Sequence, residues 1–148
     1  MFKNDDDVNT NTTQDNFYEA EQSRKSPLAP VLPLTDGSGE QYAMIREYKD
    51  LAIQNFKMLL LTSPGERVMD SNFGVGLRQY LFELPNRETK KRIAEKIEDQ
   101  SREYTPYIDI KSITFPSSQD DTILSVNIKF TITSINEDGE ITITQSII

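Results

Sequence analysis

The chain has 148 residues, 36% of them hydrophobic and 27% charged, with a formal net charge of −8. That length suits one modest domain, and the low apolar fraction implies a segment that packs only against partners or not at all. There is no cysteine and no histidine, which excludes disulfides, thiolate and imidazole metal sites, cysteine nucleophiles and every histidine-based triad.

In chain order, residues 1–30 read as an acidic N-terminal arm, disordered alone or bound to a partner. Residues 1–40 hold 8 Asp/Glu against 3 Lys/Arg, so most of the net charge sits there. Phe17 and Tyr18 are the arm's one aromatic pair and a candidate anchor. Met1 to Val8 has no apolar run and predicts no secretory signal, and no stretch reaches the length of a membrane span. The reading is of a soluble chain with no membrane partner. Pro27, Pro30, Pro33, Gly37 and Gly39 predict an extended segment followed by a turn.

A helix is predicted from Glu40 to Leu61, with Ile45, Tyr48, Ala52, Phe56 and Leu59 at steps of three and four. Thr62-Ser63-Pro64-Gly65 stops it. Residues 66–76 form a loop with Gly74 and Gly76, and a short helix follows over Leu77–Phe82. Asn86 reads as the N-cap of a second long helix reaching Tyr104, with Glu88 in its first turn and Ile93, Ile97 and Tyr104 as its apolar stripe. Its Arg87, Lys90, Lys91, Arg92 and Lys96 alternate with acidic residues. This is a solvated face, not a phosphate-binding stripe, so no nucleic-acid partner is expected.

The remainder is β. Ile108–Phe115 changes apolar parity between Ile110 and Ile113, which predicts a bulge. Leu124, Val126, Ile128, Phe130 and Ile132 alternate strictly with polar residues, Asn136-Glu137-Asp138-Gly139 reads as a hairpin turn, and Ile141, Ile143 and Ile147 form the last apolar row. The fold class is therefore α+β: two main helices and a short one packed on a C-terminal antiparallel three-stranded meander, with residues 31–148 as a single domain.

Chemistry finds little support. Gly74-Val75-Gly76 lacks the third glycine and the preceding strand of a dinucleotide fingerprint. Asp5-Asp6-Asp7 lacks the spacing of a calcium loop. No cofactor, metal or catalytic residue is expected. Glu66, Asp70 and Glu83 surround one loop and offer a geometrically possible carboxylate pair for glycoside hydrolysis. A carboxylate beside Arg67 or Arg78 suits a structural contact better than a general acid. The last strand carries no charge after Glu140. A terminal strand of that kind either lies inside the sheet or offers its edge to another chain.

Helix followed by LLLTSPGERVMDSNFGVGLRQYLFE resembles the signature of the baseplate wedge and sheath-initiator family of contractile phage tails, which extends to type VI secretion baseplates. The matching residues are Leu59 to Thr62, Pro64 to Arg67, Phe73-Gly74, Gly76-Leu77 and Leu81 to Glu83. The resemblance implies a virion protein of the tail baseplate, assembled in the host cytoplasm. Its partners would be other baseplate wedge proteins, the tail sheath protein, and tail tube or hub proteins.

Family members often carry Glu-Pro-Arg after the last helix, associated with contacts to the wedge core. Here Thr105-Pro106-Tyr107 stands in its place, leaving Tyr104, Pro106, Tyr107 and Asp109 as the implied contact, with Tyr107 as an aromatic substitute. Pro64-Gly65 is expected to cap the first helix, with Leu77, Leu81 and Phe82 packed beneath it and Glu66-Arg67 as a structural polar lock. The resemblance assigns residues 139–148, with Ile141, Ile143, Gln145 and Ile147, to the sheath-facing strand. Removal of the residues after Gly139 is then expected to leave baseplates without sheath. The competing expectations are a peptidoglycan-cleaving lysozyme-type enzyme using Glu66 with Asp70 or Glu83, a type VI secretion baseplate component, and a regulatory binder of the same fold.

Overall fold

A computed structural model describes residues 26–35, 42–83, 86–116 and 123–146. The arm with Asp5 to Asp7, Phe17 and Tyr18, the turn glycines Gly37 and Gly39, and Pro85 and Ile147 lie outside the described residues. The chain divides into two compact units, Met1–Tyr48 and Lys49–Ile148.

In the first unit, β1 (Ala29–Pro30) pairs antiparallel with β2 (Met44–Ile45). The Leu28 N–H donates to the Ile45 carbonyl at 2.9 Å and the Val31 N–H to that of Ala43 at 2.8 Å. This corrects the expected helix start at Glu40, because α1 spans Tyr48–Leu61. Pro27 and Pro30 hold residues 27–31 extended, and that segment takes up backbone groups of residues 43–45 that a helix would have used. Ile45 is buried, but in β2; its three-residue spacing to Tyr48 imitates a helical stripe.

The second unit packs helices on one face of a sheet. In α1, Ala52, Phe56, Leu59 and Leu60 are buried, while Tyr48 stands in solvent. The short helix is a 3-10 helix over Leu77–Phe82, with Leu77 buried. Phe82 was expected beneath α1 and is instead 81% exposed; a 3-10 helix repeats every three residues, so Leu77 and Tyr80 share its inner side and Phe82 does not. Tyr80 accordingly packs on the core.

Helix α2 spans Arg87–Tyr104, and the Asn86 side chain accepts from the Thr89 N–H at 2.7 Å, which satisfies one of the free donors of the first turn. Thr89, Ile93, Ile97, Gln100 and Ser101 are its buried positions.

Strands β3 (Ile108–Thr114), β4 (Ile123–Ile132) and β5 (Glu137–Ser146) form an antiparallel meander in the order β3-β4-β5. The architecture is α+β. The register shifts between Ile110 and Ser112, where the parity change predicted a bulge. Val126, Ile128, Phe130, Ile132, Ile141 and Ile143 fill the inner face, and Phe130 meets Phe56 edge to face at 5.2 Å. The outer face is laced by polar pairs. Ser125 meets Thr144, Asn127 donates to Thr142 and Glu140, and Thr131 donates to Asp138.

The β4–β5 turn differs from expectation. It occupies residues 133–136, Ile132 already pairs with Glu137, and Asn136 takes the left-handed conformation at φ 51°. Gly139 belongs to β5, directly opposite Phe130.

Candidate functional site

The loop between α1 and the 3-10 helix is fixed at both ends by hydrogen bonds. The Thr62 hydroxyl donates to the Met58 carbonyl at 2.7 Å, and the returning Val75 N–H donates to the Leu59 carbonyl at 3.0 Å, so the loop caps the helix it leaves. Between them, the Gly65 N–H donates to the Ser71 carbonyl at 2.8 Å. Gly74, at φ 110°, runs against the end of α1, where a Cβ would stand 2.2 Å from the Thr62 carbonyl oxygen. Its N–H donates to Gln100 Oε1 at 2.7 Å in a buried contact spanning 26 residues of sequence.

Aromatic and charged groups complete the attachment to α2. The Tyr104 hydroxyl donates to Asp70 Oδ1 at 3.0 Å, its ring meets Phe73 edge to face at 5.0 Å, and the Arg67 guanidinium lies 3.5 Å above the Phe73 ring. Partial burial raises the Tyr104 pKa above 10.0, and the hydrogen bond to Asp70 raises it further.

Glu66 and Arg67 do not pair with each other. Both are exposed, and among the described residues no ion pair joins them. Glu66 accepts from the Ser63 N–H at 2.7 Å, while Arg67 turns to Phe73. The burial of this loop is carried by backbone and apolar groups, so its charges complete local turns at the surface. Sequence reasoning missed Gln100. Its signal was a polar residue at the helical spacing of Ile93, Ile97 and Tyr104, on the buried stripe.

The stretch Tyr104 to Asp109 turns from α2 into β3. Tyr104 is half-buried against the loop. The Tyr107 side chain packs against the core, and its carbonyl accepts from the Thr133 N–H and hydroxyl at 2.9 and 3.1 Å. Pro106 and Asp109 are exposed; Asp109 pairs with Lys111, and both Pro106 and Asp109 line an open cleft of about 570 Å³ between α2 and β3.

At the other side of the sheet, β5 pairs with β4 alone among the described residues, so it is an edge strand and not an internal one. Ile141 and Ile143 point into the core, Gln145 is half-buried, and Thr142 and Thr144 face outward. Truncation after Gly139 would thus remove core as well as edge.

The carboxylates weighed for hydrolysis are engaged separately. Glu66 binds Ser63, Asp70 binds Tyr104, and Glu83 accepts from Arg92 and from Thr89. None of the three lines the 570 Å³ cleft or the second large one, of about 490 Å³. Among the described residues no helix is long and apolar enough to cross a membrane.

Comparison with known proteins gives the same architecture. A solved structure of a proposed tail lysozyme from Geobacter sulfurreducens is similar at 22% identity, covering 70% of this chain and 95% of that one, with a TM-score of 0.60. A chain of the six-fold symmetrised baseplate of the anti-feeding prophage is similar at 20% identity, covering 76% of this chain and 89% of that one, with a TM-score of 0.63. No curated protein matches significantly. The profile of the family described as baseplate wedge protein gp25 matches residues 47–137, more than half of the sequence and the whole path from α1 to the start of β5. The chain belongs to the baseplate wedge protein gp25 family.

Proposed function

We propose that this protein is a non-enzymatic wedge subunit of a contractile phage tail that binds wedge core proteins and starts the sheath by offering the free edge of β5 to a strand of the tail sheath protein. The position of β5 at the sheet edge, bonded to β4 alone among the described residues, carries this reading. The strand is ten residues long, and it bears no proline and no charge between Ile141 and Ser146. Natural edges are usually blunted by one or the other, because unpaired backbone groups recruit foreign strands. The contact would be made through the β5 backbone with Thr142 and Thr144 beside it, since Ile141 and Ile143 already serve the core. On the opposite side of the sheet β3 is also an edge, but a bulge and the Asp109–Lys111 pair interrupt it.

Pro106 and Asp109, at the cleft beside α2, are the proposed contact with the wedge core, with Tyr104 and Tyr107 holding that turn in place. The proposed location is the virion tail, after assembly in the host cytoplasm. Neighbouring tube or hub proteins are further partners of the same assembly.

Lysines at Thr142 and Thr144 test the sheath contact. Both positions are exposed, so the domain is expected to fold. Tails assembled with this variant should show complete baseplates without sheath. A sheath of normal length would overturn the reading. The hydrolase alternative is separated by cell-wall clearing with purified protein: clearing that Glu66→Gln abolishes would favour the enzyme.

A further inference from the structure

Val68 and Met69 are each 98% exposed, the most exposed large apolar residues among those described. They lie in a loop whose two ends are tied by hydrogen bonds and side-chain contacts. The Ser63–Glu66 and Gly65–Ser71 hydrogen bonds close its base. Arg67, immediately before them, is pinned over Phe73, and Asp70, immediately after them, is bound by Tyr104. Two neighbouring apolar side chains are thus set in water on a preformed support. Holding them there loses hydrophobic stabilisation in the isolated chain, and a loop already closed at its base has less conformational entropy to lose on inserting them into a partner.

We propose that Val68 and Met69 form an apolar finger that seats in an apolar, basic-rimmed pocket of a different wedge subunit. The proposal rests on the assembly role given above, but not on the β5 contact. Charge selects the partner. The finger is flanked by Glu66, Arg67 and Asp70, a net charge of −1, in a part of the chain, residues 41–148, whose 16 Asp/Glu against 13 Lys/Arg leave −3. A second copy would bring like charge to the contact, and its cleft lined by Glu98, Arg102 and Asp109 is itself acidic. An anionic lipid surface is disfavoured for the same reason. A protein pocket with basic groups at its rim complements both the two apolar tips and the acidic flanks.

The test mixes the full-length chain with each purified wedge protein of the same baseplate in turn and measures affinity. The wild-type chain is expected to bind one of them, and Val68→Asp with Met69→Asp to weaken that binding by about tenfold or more, through two lost apolar contacts and two misplaced charges. Circular dichroism matching wild type is expected, because neither side chain touches the core. Thr142→Lys with Thr144→Lys should bind the same wedge protein normally, which separates failure of the finger from failure of the sheath contact. Unchanged affinity of the finger variant would overturn the proposal, as would absence of wild-type binding to every wedge protein. So would an effect of the variant confined to self-association in sedimentation, or to flotation with phosphatidylglycerol vesicles.

Discussion

Gly139 of β5 lies directly across from Phe130 of β4, and a methyl group on it would stand 2.6 Å from Phe130 Cε2. The glycine is there for space under an aromatic ring, not for a turn. Gly139→Ala is therefore expected to lower stability by about 1–3 kcal/mol through overpacking. Urea unfolding measures it. Adding Phe130→Leu should make the alanine less costly than it is in the wild-type background, a coupling that a turn glycine would not display.

The attachment of the loop to α2 depends on Gln100. Gln100→Leu leaves the buried Gly74 N–H without its acceptor and is expected to cost about 1–3 kcal/mol. Gly74→Ala combines a left-handed backbone with a clash against the Thr62 carbonyl, and its loss should exceed that of Gln100→Leu. Equal urea midpoints for wild type and Gln100→Leu would contradict this account.

Asn86→Ala removes the side-chain acceptor for the Thr89 N–H. The expected cost is about 1 kcal/mol. Asn86→Asp should retain the cap, and thermal unfolding of the two variants distinguishes capping from a general effect of substitution.

Stability should fall in strong alkali. Burial raises the pKa of both Tyr104 and Tyr80 above 10.0, with the Asp70 hydrogen bond adding to the rise for Tyr104 and Arg92 opposing it for Tyr80. Each phenol thus holds its proton more tightly in the folded state. Its stabilising contribution is complete below the unfolded value of about 10, and it is lost as pH rises from there through the raised folded value. Tyrosinate absorbance followed alongside urea midpoints tests this, and Tyr104→Phe should flatten the alkaline decline without abolishing the part due to Tyr80.

The elements governed by local chemistry were legible from residue pattern. Strict alternation marked β4, the Asn86 cap marked the start of α2, and Leu77–Phe82 had its observed bounds. What failed depended on contacts distant in sequence. Ile45 has helical spacing, but the paired strand of residues 29–30 claims its backbone. Gly139 resembles a turn residue until Phe130 is placed opposite it. Glu66 and Arg67 look like partners because they are adjacent, yet a ring six residues further on captures the guanidinium. Gln100 could be recognised only as a polar interruption of an apolar stripe, since its partner is 26 residues away. The edge position of β5 needed the strand order, which periodicity leaves open.

The inward isoleucines of β5 have a mechanical consequence. Ile141 sits across from Ile128, Ile143 across from Val126, and the neighbouring Phe130 presses on Phe56 of α1. A foreign strand hydrogen-bonded along β5 and pulled lengthwise would load its bonds in shear, all together. Unzipping one bond at a time requires a pull across the strand. To tear β5 itself away, the pull must also extract two isoleucines from a closed interior. Tension entering at the free edge would therefore spread into the sheet and helices as a unit, making the domain a stiff mooring.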